Sequence, residues 1–172
     1  MKPTTIGQFN VIHEDVVFGE NVTVGNFCVL HAGVEIGDNT VIKDYVELRA
    51  GTKIGKHCYI DSRVSSSGNC SVDDHATIRY DSILARGVRV GKHTYVCPRV
   101  MTNNLDTGGT QIGGAHIGEH CFIGTNAVLQ HGITLGDHVV VGAMAFVNSD
   151  CETYGVYMGA PARLKKMREP GQ

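Results

Sequence analysis

Histidine is the residue type in this sequence best suited to chemistry, and the chain carries nine of them. Because imidazole titrates near neutral pH, a histidine can serve as a general base or as a metal ligand. Five of the nine recur at one position of a repeating pattern, which favours a structural place in turns: His57, His75, His93, His120 and His138. Two stand out as candidates for a base, since His75 follows two aspartates and His116 directly follows a glycine-rich segment.

Two other groups of polar residues have types that bind ligands. The segment from Met101 to Gly114 is rich in Gly, Asn and Thr and includes the adjacent amides Asn103 and Asn104. Near the C-terminus, the run RLKK places Arg163, Lys165 and Lys166 close together, and guanidinium and ammonium groups pair well with phosphate. A solvated surface is the alternative interpretation of these charges.

The elements that must position these residues follow a six-residue period. From Ile6 to Val96, and again from Ile117 to Val147, the first position of every six-residue word is apolar except at Ser66. Hydrophobic residues make up only 42% of the chain, so this regularity is not a product of composition. A strict short repeat indicates a solenoid, in which each repeat packs on its neighbours.

Within each word, the apolar head and the residue two before it lie on one side of a short strand, and the rest forms a turn. The turn residue three after the head is often Gly, Asn, Asp or His, the types that best tolerate a positive φ. Three words, roughly 18 residues, would close one triangular coil. Residues at this spacing share character, as Phe9, Phe27 and Tyr45 do.

The sequence therefore predicts an all-β protein, a parallel β-helix of about seven triangular coils. The β-helix domain would span residues 1–150, with an inserted loop at about 101–114 where the six-residue frame is interrupted. Residues 151–172 would form a C-terminal capping segment that covers the open strand edge, with a short helix from Ala162 to Arg168.

Composition excludes several classes of function. The net charge of −2 leaves no basic field for nucleic acid, and no apolar run is long enough to cross a bilayer. Four of the six cysteines sit two residues before an apolar head, where small buried residues recur: Cys28, Cys58, Cys70 and Cys121. Structural free thiols are favoured over disulfides or metal ligands, which together with the lack of a secretory leader predicts a cytoplasmic protein.

Apolar–glycine pairs at the start of many words resemble the [LIV]-G-x-x-x-x repeat of the hexapeptide-repeat proteins. Examples are Ile36-Gly37, Ile54-Gly55, Val90-Gly91, Ile123-Gly124, Leu135-Gly136 and Val141-Gly142. This resemblance implies a left-handed parallel β-helix, an exception to the usual right-handed crossover. It also implies a homotrimer with sites between neighbouring subunits.

The end of the chain is similar to that of the hexapeptide-repeat acyltransferases. These commonly have a Gly-Ala pair in the last coil and then a G-x-P-A-[RK] turn, matched here by Gly142-Ala143 and by Gly159 to Arg163. The resemblance implies acetyl-CoA as co-substrate, with no metal required. The residues expected to bind it are Gly124, Gly142, Ala143, Gly159, Ala160, Pro161, Arg163, Lys165 and Lys166.

The stretch from Thr77 to Asn104 resembles the nucleotide-sugar N-acetyltransferases, whose G-P-x-V-x-F-T-N pattern is matched by residues 97–104 except at Cys97 and Met101. It implies that the acceptor is an amino group on a nucleotide-linked sugar. The residues expected to bind this acceptor are Tyr80, Asp81, Thr102, Asn103 and Asn104. His75 or His116 would serve as the base, although an amine can also react without one. The absence of histidine from the inserted loop favours an amine over an alcohol acceptor.

Two other classes of function stay open at this point. A non-catalytic structural subunit could use the same solenoid, because a fold does not determine a function. The word around His31 resembles that of zinc-dependent carbonic anhydrases, but Asn26 stands where a further ligand would be needed. Zinc content and turnover with acetyl-CoA distinguish these classes from an acetyltransferase.

Overall fold

A computed structural model describes residues 4–169, which form a left-handed parallel β-helix of about eight turns. The fold class expected from the sequence is confirmed. The strands in chain order are β1 (Thr5–Ile6), β2 (Val11–Ile12), β3 (Val17–Phe18), β4 (Thr23–Val24), β5 (Val29–Leu30), β6 (Glu35–Ile36), β7 (Val41–Ile42), β8 (Glu47–Leu48), β9 (Lys53–Ile54), β10 (Tyr59–Ile60), β11 (Ser65–Ser66), β12 (Ser71–Val72), β13 (Thr77–Ile78), β14 (Ile83–Leu84), β15 (Arg89–Val90), β16 (Tyr95–Val96), β17 (Met101–Thr102), β18 (His116–Ile117), β19 (Phe122–Ile123), β20 (Val128–Leu129), β21 (Thr134–Leu135), β22 (Val140–Val141), β23 (Phe146–Val147), β24 (Gly155–Met158) and β25 (Arg163–Met167).

From β1 to β23, every third strand belongs to the same sheet, so the chain winds around a triangular prism. Sheet A has the order β1-β4-β7-β10-β13-β16-β19-β22-β24-β25. Sheet B has the order β2-β5-β8-β11-β14-β17-β20-β23, and sheet C runs from β3 through β6, β9, β12, β15 and β18 to β21. We call the turns from sheet A to sheet B the AB corner, those from B to C the BC corner and those from C to A the CA corner.

The core is a narrow column of apolar side chains inside the prism. Strands only two residues long pair in parallel, so that heads such as Ile42, Ile60 and Ile78 lie directly above one another. All three are fully buried. A two-residue strand cannot be stable alone, and stability therefore comes from stacking successive coils, as in other repeat proteins.

The turn residues take the left-handed backbone conformation that the sequence predicts. At the CA corner, φ is +55° for His57, +61° for His75 and +56° for His93. We call this column of turn residues the histidine ladder. Its rings stack nearly parallel, with centroids 4.8 Å apart from His57 to His75 and from His75 to His93. The stack continues through His120 and His138. At the AB corner, Phe9, Phe27 and Tyr45 form a similar stack with centroids 5.0 and 5.1 Å apart.

The inserted loop leaves the solenoid at the BC corner. Met101 and Thr102 still belong to strand β17, so the irregular segment begins after them. Within the loop, Leu105 forms an antiparallel bridge with Gln111. The Asp106 carboxylate accepts backbone N–H groups from Gly108 at 2.9 Å and from Thr110 at 2.8 Å, which closes the tip into a tight hairpin.

The expected C-terminal helix from Ala162 to Arg168 is wrong, and residues 4–169 contain no helix. Arg163–Met167 form β25 instead, antiparallel to β24 at the end of sheet A. The physical reason is that β24 would otherwise expose an unpaired edge, whereas a helix this short is marginal in water. The expectation that this segment caps the β-helix stays a prediction.

Five cysteines belong to the core of the prism, and Cys97 lies in a turn of the AB corner. All six thiols are buried and free. Burial raises the pKa of Cys58 and of Cys121 to about 11. Among residues 4–169, no helix is long and apolar enough to span a membrane.

Candidate functional site

The residues expected to bind the coenzyme come together at the AB corner near the C-terminal end. A Cβ added to Gly124 would lie 2.5 Å from the Ala143 nitrogen, so the two turns are in direct contact. The Gly159 carbonyl accepts a hydrogen bond of 2.9 Å from the Phe146 N–H, which holds the last turn beside this corner. A Cβ on Gly142 would lie 2.9 Å from Met158 Cγ. Gly124 is therefore required for the close approach of successive turns, and Gly159 for its φ of +97°.

Three cations lie on β25, where Arg163 is opposite Met158 and Lys166 is opposite Val156 of β24. Arg163, Lys165 and Lys166 are exposed, as are Ala160 and Pro161. The Arg163 guanidinium donates to the Ala162 carbonyl at 2.8 Å. In the part of the chain that the structure describes, none of the three forms an ion pair. Their charge is therefore available to an anionic ligand.

Further along the AB corner, Asp81 is held by arginines. Arg63 contacts its two carboxylate oxygens at 2.6 and 3.2 Å, and Arg99 lies at 3.8 Å. The hydrogen bonds from Arg63 hold the pKa of Asp81 below its usual value. Tyr80 in the same turn is partly exposed, and its carbonyl accepts the Arg99 N–H. Asp81 is thus an ionised carboxylate whose charge is already neutralised.

A polar cluster that the sequence did not reveal lies in the neighbouring turns. The Arg79 guanidinium donates to Asp61 at 2.8 Å and to the Tyr95 hydroxyl. Burial opposes ionisation of Asp61, but the Arg79 and Ser62 hydrogen bonds outweigh it, and the pKa of Asp61 is lowered. The ring of Tyr95 stacks on Phe122. Because Asp61 and Arg79 are 18 positions apart, only the coil length could have indicated this contact.

The acceptor-binding residues expected around the loop divide into two groups. Thr102 faces the core, where its hydroxyl accepts the Ala85 N–H at 2.7 Å and donates to the Ile83 carbonyl. It therefore has no free group for a substrate. Asn103 and Asn104 are partly exposed at the base of the loop, and the Asn104 carbonyl accepts N–H groups from the returning strand at residues 112–113.

His131, in the turn next to the loop base, is a further polar residue that sequence reasoning did not select. Its Nε2 lies 3.1 Å from the Gln130 side-chain nitrogen, whereas its Nδ1 is buried with no hydrogen-bond partner within residues 4–169. The loop covers this turn, since the Gly132 N–H donates to the Gly113 carbonyl at 3.0 Å. An unpartnered buried ring nitrogen is uncommon and marks the loop base as a polar site.

The two candidate bases are not brought together. His116 lies on β18 and points outward from sheet C, where it forms part of two adjoining clefts of about 370 and 490 Å³. The smaller cleft is lined by Asn69, Arg86, Gln111, Ile112, His116 and Thr134. His75 lies at the CA corner within the histidine stack, and neither of these clefts includes it. Geometry therefore favours His116 over His75.

A metal site requires several ligating side chains close together. No group of three or more His, Cys, Asp or Glu side chains between Thr4 and Glu169 is arranged to hold a metal ion. His31, the residue of the carbonic anhydrase alternative, instead places its Nε2 3.3 Å from a Glu47 carboxylate oxygen.

Two family models match the sequence. Residues 114–149 match the bacterial transferase hexapeptide repeat, and residues 14–43 match the hexapeptide repeat of succinyl-transferase. No curated protein sequence matches the chain.

Several solved structures have the same fold. The UDP-N-acetylglucosamine acyltransferase from Campylobacter jejuni is 17% identical, with a TM-score of 0.73 over 92% of this chain and 73% of that one. The polysialic acid O-acetyltransferase OatWY is 19% identical, with a TM-score of 0.64 over 95% and 88%. The N-acyltransferase AntD from Bacillus cereus, in complex with dTDP and coenzyme A, is 19% identical, with a TM-score of 0.53 over 96% and 84%. At these identities the similarity shows a shared fold.

Proposed function

We propose that this chain, which has the left-handed β-helix fold and matches hexapeptide-repeat models in two stretches, is an acetyltransferase. It would move an acetyl group from acetyl-CoA to the amino group of a nucleotide-linked sugar. The similar structures are named as acyltransferases or acetyltransferases, and AntD is described in complex with coenzyme A. These names give the proposal its chemical class.

The observation that carries the proposal is the glycine-lined corner with unpaired cations beside it. The turns at Gly124, Gly142 and Gly159 bring the backbone of successive coils close together, and a pantetheine arm would bind to backbone groups at this corner. Lys165 and Lys166, on the adjoining strand, are exposed and unpaired within residues 4–169. An ammonium group close to a phosphate forms a charge-assisted hydrogen bond, and the nucleotide half of coenzyme A carries phosphates.

Transfer requires a neutral amine to attack the thioester carbonyl. The new C–N bond forms first and gives a tetrahedral intermediate, the amine proton passes to a base, and the C–S bond then breaks as the coenzyme leaves as a thiolate. We assign the base to His116, because it is exposed in a cleft that also contains the loop residues Gln111 and Ile112. His75 is the alternative base. Backbone N–H groups would stabilise the oxyanion of the tetrahedral intermediate.

Acceptor binding is assigned to Asn103 and Asn104, with Tyr80 and Asp81 as further contacts. Asn103 and Asn104 lie at the BC corner, whereas Tyr80 and Asp81 lie at the AB corner. The candidate bases are also separated from the AB corner, where the coenzyme is proposed to bind. A homotrimer of parallel prisms would bring one corner of a subunit beside a face of its neighbour, so that one site contains residues of two chains. The buried thiols and the need for acetyl-CoA favour a cytoplasmic enzyme.

The test is release of coenzyme A from acetyl-CoA with a panel of nucleotide-linked amino sugars. We expect turnover with at least one of them. The double substitution Lys165→Gln/Lys166→Gln should raise the KM for acetyl-CoA about tenfold, as expected for lost phosphate contacts. Lys43→Gln, an exposed lysine in the N-terminal half, serves as the matched control and should leave KM unchanged.

A second comparison separates the candidate bases. His116→Gln should lower kcat, whereas His75→Asn should leave it unchanged because asparagine accepts the same turn conformation. If no amine is turned over and coenzyme A does not raise the melting temperature, the proposal is wrong, and a structural subunit is the better description.

A further inference from the structure

The groove along sheet C carries a local positive charge that the structure does not neutralise. Arg86 lines the smaller cleft beside the loop, and Arg89 lines the larger one. Both side chains are exposed, and within residues 4–169 neither guanidinium forms an ion pair or a hydrogen bond. Other arginines of the described chain do pair, as Arg49 does with Glu47 and Arg63 with Asp81.

The two arginines converge on one residue. Arg89 and His116 are register partners on the adjacent strands β15 and β18 and point outward on the same face. His116 also lines the smaller cleft together with Arg86, so it lies where the two clefts meet. Thr134, the next residue of the same ladder, is likewise shared by both clefts.

The backbone leaves room for the Arg86 side chain. Gly68, in the coil before it, has φ of +100°, and a Cβ there would lie 3.4 Å from both terminal guanidinium nitrogens. Any larger residue at this position would be strained at this φ, and its Cβ would lie 2.9 Å from the Ala50 carbonyl oxygen. The amides of Asn69 and Gln111 complete the lining of the cleft, and none of its lining residues is acidic.

Of these two clefts, acidic side chains line only the larger, on the side towards the CA corner. Asp73 and Asp137 line that side, and the Asp137 carboxylate already accepts the Glu119 N–H at 2.8 Å. The groove is therefore cationic next to the loop and partly anionic towards the CA corner. A molecule that carries both an anion and an ammonium group would match this distribution.

From this arrangement we infer that Arg86 and Arg89 bind a phosphoryl group of the acceptor, next to the base His116. Guanidinium groups form paired, charge-assisted hydrogen bonds with phosphate oxygens. Asp73 attracts the substrate amine into the same groove before it loses its proton. The inference rests on the proposed function, because it specifies the acceptor of that reaction as a sugar linked to a phosphate or diphosphate.

The experiment is isothermal titration of the full-length protein with inorganic pyrophosphate and with UDP, in the absence of acetyl-CoA. We expect one site per chain, with affinity that falls as salt is added. Arg86→Gln and Arg89→Gln should each weaken binding about tenfold or more. Arg49→Gln is the matched control, since it removes an arginine from the same BC corner outside the cleft, and it should have no effect. Arg86→Lys should retain part of the affinity, because the charge remains.

Three results would overturn the inference. These are no binding of pyrophosphate or UDP by the wild-type protein, equal weakening by Arg49→Gln, and binding of glucuronate in place of either phosphoryl compound. The outcome is separable from that of the proposed function. If the protein binds phosphoryl compounds but transfers no acetyl group, the proposed enzyme activity is wrong and the phosphoryl-binding site is supported. Transfer with an acceptor KM unchanged in Arg86→Gln would refute the subsite and leave the enzyme.

Discussion

Most turns of the β-helix depend on one residue with a positive φ. Asparagine takes this position at Asn21 and Asn39, where the two amides form a hydrogen bond of 2.9 Å. Histidine takes it in the coils above, and each ring stacks on the next. The ladder therefore has two requirements, a residue that tolerates the left-handed conformation and a planar group that packs on its neighbours.

We expect the first requirement to dominate, and His93 provides the test because it has no assigned role in the reaction. His93→Asn should change the free energy of unfolding by less than about 1 kcal/mol, since asparagine accepts the left-handed conformation. His93→Val should cost about 1–3 kcal/mol, because a β-branched side chain is strained at this φ of +56°. Urea unfolding of both variants measures the difference. Equal stability of the two would show that turn strain is not limiting.

At the scale of elements, β11 shows why one word of the repeat lacks an apolar head. Ser66 points into the core at 2% exposure, and its hydroxyl accepts the Arg49 backbone N–H at 3.1 Å. The same hydroxyl lies 2.7 Å from the Thr52 hydroxyl, which donates to the Arg49 carbonyl. Thr102 on β17 accepts the Ala85 N–H in the same way. The polar residue at this position therefore accepts a backbone N–H that has no partner in the hydrogen bonds between strands.

The matched pair Ser66→Val and Ser66→Thr isolates that hydroxyl, because valine and threonine have nearly the same shape. We expect the valine variant to be less stable than the threonine variant by about 1–3 kcal/mol, the cost of an unsatisfied buried N–H. Thermal unfolding of the two proteins measures it. A valine variant at least as stable as the threonine variant would show that the apolar pattern alone governs this position.

Strand β25 illustrates an element whose type depended on its neighbour. The segment after Pro161 carries helix-compatible residues, yet it pairs with β24 because that strand would otherwise be the open edge of sheet A. Local propensity is a weak determinant for a short segment, whereas an unpaired strand edge offers a hydrogen bond at every second residue. Lys165 and Lys166 are consequently presented on an extended strand, with Lys166 opposite Val156 of β24, rather than on a helix.

For the whole molecule, the narrow interior determines the chemistry of the cysteines. Burial raises the pKa of Cys151 to about 12, with Asp150 adding to the effect, and that of Cys58 to about 11. A thiol with a raised pKa stays protonated at neutral pH and reacts slowly, because the thiolate is the nucleophile. The cysteines of this fold are therefore packing residues.

We expect an aromatic disulfide reagent at pH 8 to label the native protein much more slowly than the protein in guanidinium chloride, where all six thiols should react. Cys97 should be the first to react in the native state, because it is the most exposed of the six at 7%. The time course of absorbance gives both rates. Rapid labelling of several thiols in the native state would contradict a closed interior.

The sequence by itself determined the β-helix, its turn positions and the place of the insertion, because a six-residue period is enforced locally by inward-facing heads and left-handed turns. The clustering of Gly124, Gly142 and Gly159, at the corner that we propose binds the coenzyme, was also predictable, because these residues are spaced by about one coil length. Only the tertiary structure decided that Thr102 is a core residue, that β25 is a strand, and that Arg86 and Arg89 border His116. Such contacts join residues one or more coils apart, and side chains at that distance in sequence meet only when the coils stack.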